Sequence, residues 1–390
     1  MTKPRLFFVT LEDFQRTTGQ CSRLLSLLPH LSRHFQVTLV GRKGASINAL
    51  KEVIHRHIAL PTPAGMRPAR YFSHPFGPIR LGLLASALAQ LPSQDSVIYA
   101  DSILLAHMAS YSPHRRLVCE INGIISEEFR MKMPIRGGAL HPLMCYWERK
   151  GIQRADHLVV VSPGIATYLS SLTPGVEEKI TILGNGVDPL LFSPAGDGNG
   201  MRMDLGWDEN PVGVFVSTFQ VWHGAENLLK ATSYVLKKKP DFRLLLVGDG
   251  PERRRSERLA QSLGIREAVH FTGTVVPESV PKWIAVADVG LYFPVFVRNR
   301  AGFLFDPMKF YEYMAMGKPV VSIRVPKLGD AVISARAGIL TDPTPEAFAK
   351  GLLNVLDDPE ALKEMGLRGA ELVRRDFSWS SIADRIAEVC

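Results

Sequence analysis

The sequence predicts an α/β protein of two doubly wound, Rossmann-like domains. Three observations point there. Short apolar runs of strand length alternate with helix-length stretches along the chain, as in parallel sheets covered by helices on both faces. The 390 residues suffice for two domains, each burying its own core. A glycine-containing break near the middle, Asn185-Gly186 followed by the loop 196–200, separates two runs of the same alternation.

In the first half, segments 6–10, 35–40, 97–100, 117–121 and 157–162 have the length and apolar content of buried strands, and 22–34 and 82–91 read as helices between them. A strand at 181–183 leads into Asn185-Gly186. The second half continues with strand 212–217, helix 225–238, strand 242–247, helix 252–263 and strand 269–271. Helix 281–287 and strands 289–293 and 320–323 complete the reading.

Composition narrows the class. Hydrophobic residues make up 46% and charged residues 22%, as in soluble globular proteins. The apolar run 81–91, broken by Gly82, Ser86 and Gln90, falls short of the roughly 18 residues that cross a bilayer. A strand-like start predicts no cleaved signal peptide. Cys21, Cys119, Cys145 and Cys390 are scattered without zinc-like spacing and read as reduced thiols of a cytoplasmic protein. Residues 1–185 carry 21 Lys and Arg against 12 Asp and Glu, whereas 186–390 carry 25 against 26, so the net charge of +8 resides in the first half. Cations there mix with aromatic and aliphatic residues at 66–72 and 129–136, a composition suited to the anionic cytoplasmic face of a membrane. No nucleic-acid-binding motif accompanies them. Arg253-Arg254-Arg255, flanked by Glu252 and Glu257, reads as a solvated helix face.

The most informative stretch is Phe305-Asp306-Pro307-Met308-Lys309-Phe310-Tyr311-Glu312-Tyr313-Met314-Ala315-Met316-Gly317-Lys318-Pro319. Asp306 is placed to cap a helix, Pro307 to fill its first position, Gly317 to end it and Pro319 to follow the stop. Lys309 and Glu312, three residues apart, share one face near the positive end of that helix. A lysine beside free backbone N–H groups suits phosphate oxygens. A carboxylate one turn deeper suits the paired hydroxyls of a ribose.

The run from Phe310 to Val321 resembles the nucleotide-sugar-binding segment of the GT-B glycosyltransferases of family 4. Other marks follow in the family's order. Asn185-Gly186-Val187-Asp188 resembles the interdomain junction, and Ser217-Thr218-Phe219-Gln220-Val221-Trp222-His223-Gly224 the phosphate-side loop. Leu244 to Pro251 and Phe271-Thr272-Gly273-Thr274-Val275 resemble the strands framing the base, and Phe377-Ser378-Trp379 the close of the chain. The resemblance is dense from about position 156 onward and thin before it. It implies two domains facing across a cleft: 1–186 for the acceptor, joined by a returning helix at 378–390, and 187–377 for the donor. It also implies transfer from a nucleoside-diphosphate sugar, UDP by default with GDP competing, to a glycan or lipid-linked glycan acceptor. Retention, front-face attack, domain closure and independence of metal belong to the same implication.

The sequence departs from the family pattern at three places. An Arg and a Lys common in the phosphate-side loop are replaced by Thr218 and His223, and the first of two glutamates falls on Leu304. Either the site is inactive or its charges have moved, and Lys309 favours the second reading. His223 is expected to add a hydrogen bond, or a charge if protonated. Arg298 and Arg300 are further cations. Gln220 belongs with His223 in the phosphate-side loop, and Thr274 and Val275 present backbone to the base. Gly248-Asp249-Gly250 is read as a turn.

In the first half, Gly19 opens a helix where relatives bring backbone to phosphate. Asn122 stands where relatives place a sugar-contacting His or Asp. Glu120 either orients the acceptor and stabilises charge on the reacting sugar, or is a turn carboxylate; Glu127 and Glu128 are alternatives. Two other functions stay open beside transfer: a nucleotide-sugar epimerase or hydrolase, and a silent nucleotide-binding subunit of a glycan-assembly complex.

Overall fold

The computed structural model describes residues 3–390 apart from 13, 15–18, 43–47, 61–76, 133, 195–197, 296–305 and 325–327. Its strands form two parallel sheets, each in its own unit: 1–185 with 299–306 and 379–390, and 186–298 with 307–378.

In the first unit the order along the chain is β1 (Arg5–Val9), α1 (Gly19–His34), β2 (Gln36–Arg42), β3 (Arg56–Leu60), α2 (Gly77–Ala89), β4 (Val97–Ala100) and α3 (Ile103–Ala109). There follow β5 (Arg116–Ile121), α4 (Ile125–Lys132), α5 (Pro134–Arg154), β6 (His157–Val160), α6 (Pro163–Leu172) and β7 (Ile180–Ile182). The sheet order is β3-β2-β1-β4-β5-β6-β7. The second unit contains α7 (Asn199–Leu205), β8 (Val212–Val216), α8 (Ala225–Leu236), β9 (Arg243–Val247), α9 (Arg253–Ser262), β10 (Val269–Phe271) and α10 (Val280–Ala285). It continues with β11 (Val289–Tyr292), α11 (Met308–Ala315), β12 (Val320–Ile323), α12 (Leu328–Ser334), β13 (Gly338–Thr341), α13 (Pro345–Leu356) and α14 (Pro359–Asp376). Its sheet order is β10-β9-β8-β11-β12-β13. The final helix, α15 (Trp379–Glu388), belongs to the first unit and lies on α1, with Asp384 bonded to His34 Nε2 at 2.8 Å.

Local chemistry accounts for most boundaries. Strands β4, β11 and β12 are buried along their whole length, as parallel strands covered on both faces must be. Ser162, Thr344 and Asp358 each accept an N–H from the first turn of α6, α13 and α14, and a proline follows each of them. Sequence reading missed β3, whose Arg-His-Ile-Ala-Leu run is only partly buried because it is an edge strand beside β2. It also missed α5, which runs through Pro142, and the last elements β13, α13 and α14.

The start of α11 corrects an expectation. Pro307 is the N-cap rather than the first helical residue, and no side chain caps the helix. Asp306 turns away from it: its carboxylate accepts the Asn185 N–H, and its carbonyl accepts from Asn185 Nδ2 at 2.6 Å. Gly317 does follow the helix end, with φ of 69°.

Candidate active site

In a doubly wound sheet, ligands gather where neighbouring strands send their connections to opposite faces. In the second unit that place is the C-terminal end of the adjacent pair β8 and β11. The loop after β8 holds Ser217, Gln220 and His223, and α11 follows β11. Gly224 ends the loop at φ 76°, and a Cβ there would stand 1.7 Å from the Phe293 carbonyl oxygen, so only glycine lets these two connections approach. Phe219 adopts φ of 42° with its ring fully buried near Phe215 and Phe271. A left-handed bulky residue costs on the order of 1–2 kcal/mol, here offset by the buried ring and by backbone bonds at both ends. Its N–H donates to Ser217 Oγ at 3.0 Å, and its carbonyl accepts from Glu252 N–H at 3.0 Å.

That arrangement fixes His223. Ser217 Oγ lies 2.7 Å from His223 Nδ1 and also accepts the Phe219 N–H, so this hydroxyl anchors the imidazole to the loop. Burial, reinforced by the Lys309 charge, pushes the imidazole pKa well below the ordinary range. His223 therefore offers a hydrogen bond and does not replace the missing cation.

Lys309 stands beside this loop. Its Nζ lies 4.7 Å from the ring centre of Tyr292 on β11 and 5.3 Å from that of Phe215 on β8, directly over the junction of the two strands. One turn on is Glu312. Both are half-buried, and among the described residues neither side chain has a hydrogen-bond partner. Burial, partly opposed by Glu312, brings Lys309 down to about 8. Burial, partly opposed by Lys309, brings Glu312 up to about 7. A half-buried cation and carboxylate keep their bonding capacity free of protein partners, which suits a ligand carrying phosphate and hydroxyl groups.

The other expected donor residues are more dispersed. Gln220 is half-buried, with Nε2 3.5 Å from the Thr218 carbonyl. Thr274 and Val275 follow β10, which β9 separates from β8. Thr274 is exposed, and its Oγ1 donates to Asp249 at 3.3 Å. Asp249 also accepts from the N–H of Gly250 at 2.7 Å and from Arg253 at 3.2 Å, so Gly248-Asp249-Gly250 is a bonded turn. Arg298, Arg300 and Leu304 lie outside the described residues, as do 66–72.

In the first unit the corresponding junction is between β1 and β4. Thr10, just after β1, donates through Oγ1 to Asp101, just after β4, and accepts the Glu12 N–H at 3.0 Å. Gln20 also bonds Asp101, whose pKa is raised well above the ordinary range by burial. Sequence reasoning missed Asp101, though an acid directly after a buried strand was the available signal. Gly19 opens α1 in an exposed position, with nothing within 4 Å of a Cβ placed there.

Glu120 is a correction. It is wholly buried, and its carboxylate accepts from Arg23 Nε at 2.7 Å, Tyr99 Oη at 2.5 Å and Asn122 Nδ2 at 2.6 Å. Burial alone would raise its pKa, but the Arg23 charge and these bonds outweigh it and hold the carboxyl below its ordinary range. Glu120 meets protein groups, not a reacting sugar. Arg23, only 1% exposed, also donates to Asn185 Oδ1 at 2.7 Å, and its guanidinium lies 5.2 Å from the Trp379 ring centre. It thus gathers the residue where the chain leaves the unit and the residue where it returns. Asn122 is oriented by Glu120, and its Oδ1 is buried without a partner among the described residues. Glu127 is engaged by Arg130 and His141, while the Glu128 side chain lies outside the described residues.

Comparison with known proteins agrees with this architecture. Residues 18–190 match the model described as "Glycosyltransferase Family 4", and 210–358 that described as "Glycosyl transferases group 1". The chain is 31% identical over 295 residues to a GDP-mannose-dependent alpha-(1-6)-phosphatidylinositol monomannoside mannosyltransferase of Mycolicibacterium smegmatis, covering 74% of each chain. It is 30% identical to a D-inositol 3-phosphate glycosyltransferase of Segniliparus rotundus, over 60% of this chain and about half (51%) of that relative. Among solved structures, sucrose-phosphate synthase from Thermosynechococcus elongatus superposes with TM-score 0.77 at 20% identity, covering 99% of this chain and 98% of that one. HepE of Anabaena with UDP-glucose superposes with TM-score 0.74 at 19% identity and the same coverage. The solved structures share the fold, and the sequence relatives carry the assignment: this chain belongs to the GT-B glycosyltransferases of family 4.

Proposed function

We propose that this glycosyltransferase moves a hexose from a nucleoside-diphosphate sugar to a lipid-borne glycan acceptor, with retention and without a resident metal. The observation that carries the reading is the unpartnered, half-buried pair Lys309 and Glu312 over the β8–β11 junction. Lys309 takes the diphosphate and stabilises it as it departs, the Nε2 edge of His223 faces the same group, and Glu312 accepts from the ribose hydroxyls. A diphosphate beside Lys309 restores its charge, and ribose hydroxyls do the same for Glu312. The site binds best what repairs its desolvation.

The sequence alone makes UDP the default donor nucleotide, but two relatives described as GDP-mannose-dependent favour GDP. The phosphatidylinositol-linked acceptor named for the first relative supports a lipid-borne acceptor, as does the positive balance of residues 1–185, which suits an anionic membrane face. No helix among the described residues is long and apolar enough to cross a membrane.

Calorimetric titration with UDP and GDP, on the wild type and on Glu312→Ala, tests the donor site. Micromolar binding of one nucleotide, lost in the variant, supports transfer and names the nucleotide for a sugar screen. Absence of binding to either by folded wild type would overturn it in favour of a silent subunit. Release of free sugar or an epimer without acceptor would instead identify a hydrolase or epimerase.

A further inference from the structure

We propose that the exposed face of α5, together with Tyr111 at the end of α3, is the surface by which this protein lies on an anionic phospholipid bilayer. The proposal rests on the membrane contact inferred above and names its location, which differs from the segments 66–72 and 129–136 that the sequence singles out.

The face is defined by packing. Helix α5 crosses α3 so closely that a Cβ on Gly151 would lie 2.4 Å from the Ile103 carbonyl oxygen, which fixes the rotation of the helix. Met144, Glu148, Gly151 and Ile152 point inward. On the outward arc lie Leu143 (48% exposed), Tyr146 (53%), Arg149, Lys150 and Arg154. In the described side chains of α5 the only acid is Glu148, which is 4% exposed and spends its carboxylate on the N–H and Oγ of Ser126. The outward arc therefore combines three cations and two large apolar side chains with no opposing charge. Asp156, the next acid along the chain, accepts the Leu117 N–H instead.

Tyr111 (56% exposed) extends the patch from α3. Arg154 lies 4.1 Å from its ring centre, and Lys150 lies 5.7 Å from that of Tyr146. Trp147 packs edge-on against Tyr146 and against His107, which in turn meets Tyr111. Burial, then Arg154 and Lys150, bring the His107 imidazole down to about 4, so it stays neutral and leaves the aromatic row uncharged beneath the cations. Tyrosine and tryptophan rings flanked by lysine and arginine match the headgroup zone of a bilayer, where rings settle among glycerol groups and cations meet phosphate. A protein partner would more often be met by a charge-depleted centre with a polar rim, whereas here cation and aromatic are interleaved.

Flotation with phosphatidylcholine vesicles, with and without phosphatidylglycerol, tests this on the full chain. Three proteins are compared: wild type, the triple reversal Arg149→Glu, Lys150→Glu, Arg154→Glu, and a control reversal of exposed cations in the second unit, Lys350→Glu, Lys363→Glu, Arg374→Glu. Wild type should bind only the anionic vesicles and lose binding with salt. The α5 reversal should weaken partition by at least about a hundredfold, the sum for removing three surface cations, and the control should not. Tyr111→Ser with Tyr146→Ser, which leaves every charge in place, should weaken it roughly tenfold. If wild type ignores anionic vesicles, the membrane reading itself falls. If wild type binds and the α5 and tyrosine variants bind equally well, this surface assignment falls and the membrane reading stands. Concentration-dependent self-association in sedimentation, abolished by the α5 reversal, would make the patch a contact between copies and overturn the proposal.

Discussion

Two cation–carboxylate pairs, Arg23 with Glu120 and Lys309 with Glu312, lie one in each unit, the first fully buried and the second half-buried, and they respond to burial in opposite ways. In the first, the partners touch at 2.7 Å, further bonds come from Tyr99, Asn122 and Asn185, and both groups are held in their charged forms. In the second, neither group has a hydrogen-bond partner among the described residues, and both are pushed toward neutrality, to about 8 and about 7. Direct contact reinforced by neighbouring bonds marks a pair that serves the fold, and a pair without any protein partner marks one open to a ligand. Type and position in the sequence made both glutamates candidates, but only their hydrogen bonds separate them.

The largest expected effect follows from the contacting pair. Glu120→Ala leaves Arg23 charged in a buried site and should destabilise the first unit by about 4 kcal/mol, read from urea unfolding. The double variant Arg23→Met, Glu120→Leu should recover much of that loss, because no unpaired charge remains. If Glu120→Ala instead folds normally and loses only turnover, Glu120 is a reacting group after all.

The unsatisfied pair should behave in reverse. Lys309→Met should abolish nucleotide binding while stabilising the unliganded protein by about 2 kcal/mol at neutral pH, since a desolvated ammonium is removed. The pH dependence of stability sharpens this. Lys309 falls from an ordinary 10.5 to about 8, so between those values the unfolded chain binds more protons and the Lys309 contribution rises with pH. Glu312 rises from 4.5 to about 7, so between those values the folded chain binds more, and its contribution falls as pH rises. Lys309→Met should flatten the alkaline rise and Glu312→Gln the acid-side fall. Glu120 has the opposite sign to Glu312: its contribution is present above the ordinary carboxyl range and is lost as pH falls through its lowered value.

A smaller effect is expected at the loop after β8. Ser217→Ala removes the acceptor of the Phe219 N–H and the hydroxyl bonded to His223 Nδ1. It should cost about 1 kcal/mol of stability. It should also lower kcat severalfold, because the imidazole loses the bond that orients its ring. Rescue by Ser217→Thr, which keeps the hydroxyl, would tie the loss to that bond; failure of the rescue would tie it to loop packing.

Much of this was legible beforehand, for identifiable reasons. The apolar runs of β1, β8, β9 and β12 announce buried parallel strands, and Lys309 with Glu312 is visible because helical spacing places three-apart residues on one face. The misses are long-range. The partners of Glu120 are Arg23 and Tyr99, 97 and 21 residues away, and no local pattern discloses them. Asp306 stands where a cap belongs, yet its bonds go to Asn185, 121 residues back. Helix α5 defeats local rules by running through Pro142, and edge strand β3 lacks the apolar signal because one side of it is open.

The smallest effect tests how the base is read. Thr274 is exposed at the end of β10, and its hydroxyl is bonded to Asp249, so that side chain is already occupied within the turn. A base at this edge would therefore meet the backbone of Gly273 to Val276 rather than the Thr274 hydroxyl. Thr274→Ala removes one surface hydrogen bond and should change affinity by no more than about twofold, equally for UDP and GDP. A loss above tenfold for one nucleotide alone would mean that the hydroxyl leaves Asp249 to read the base. Selectivity would then reside in a side chain, whereas an equal and small change leaves it in backbone that substitution cannot reach.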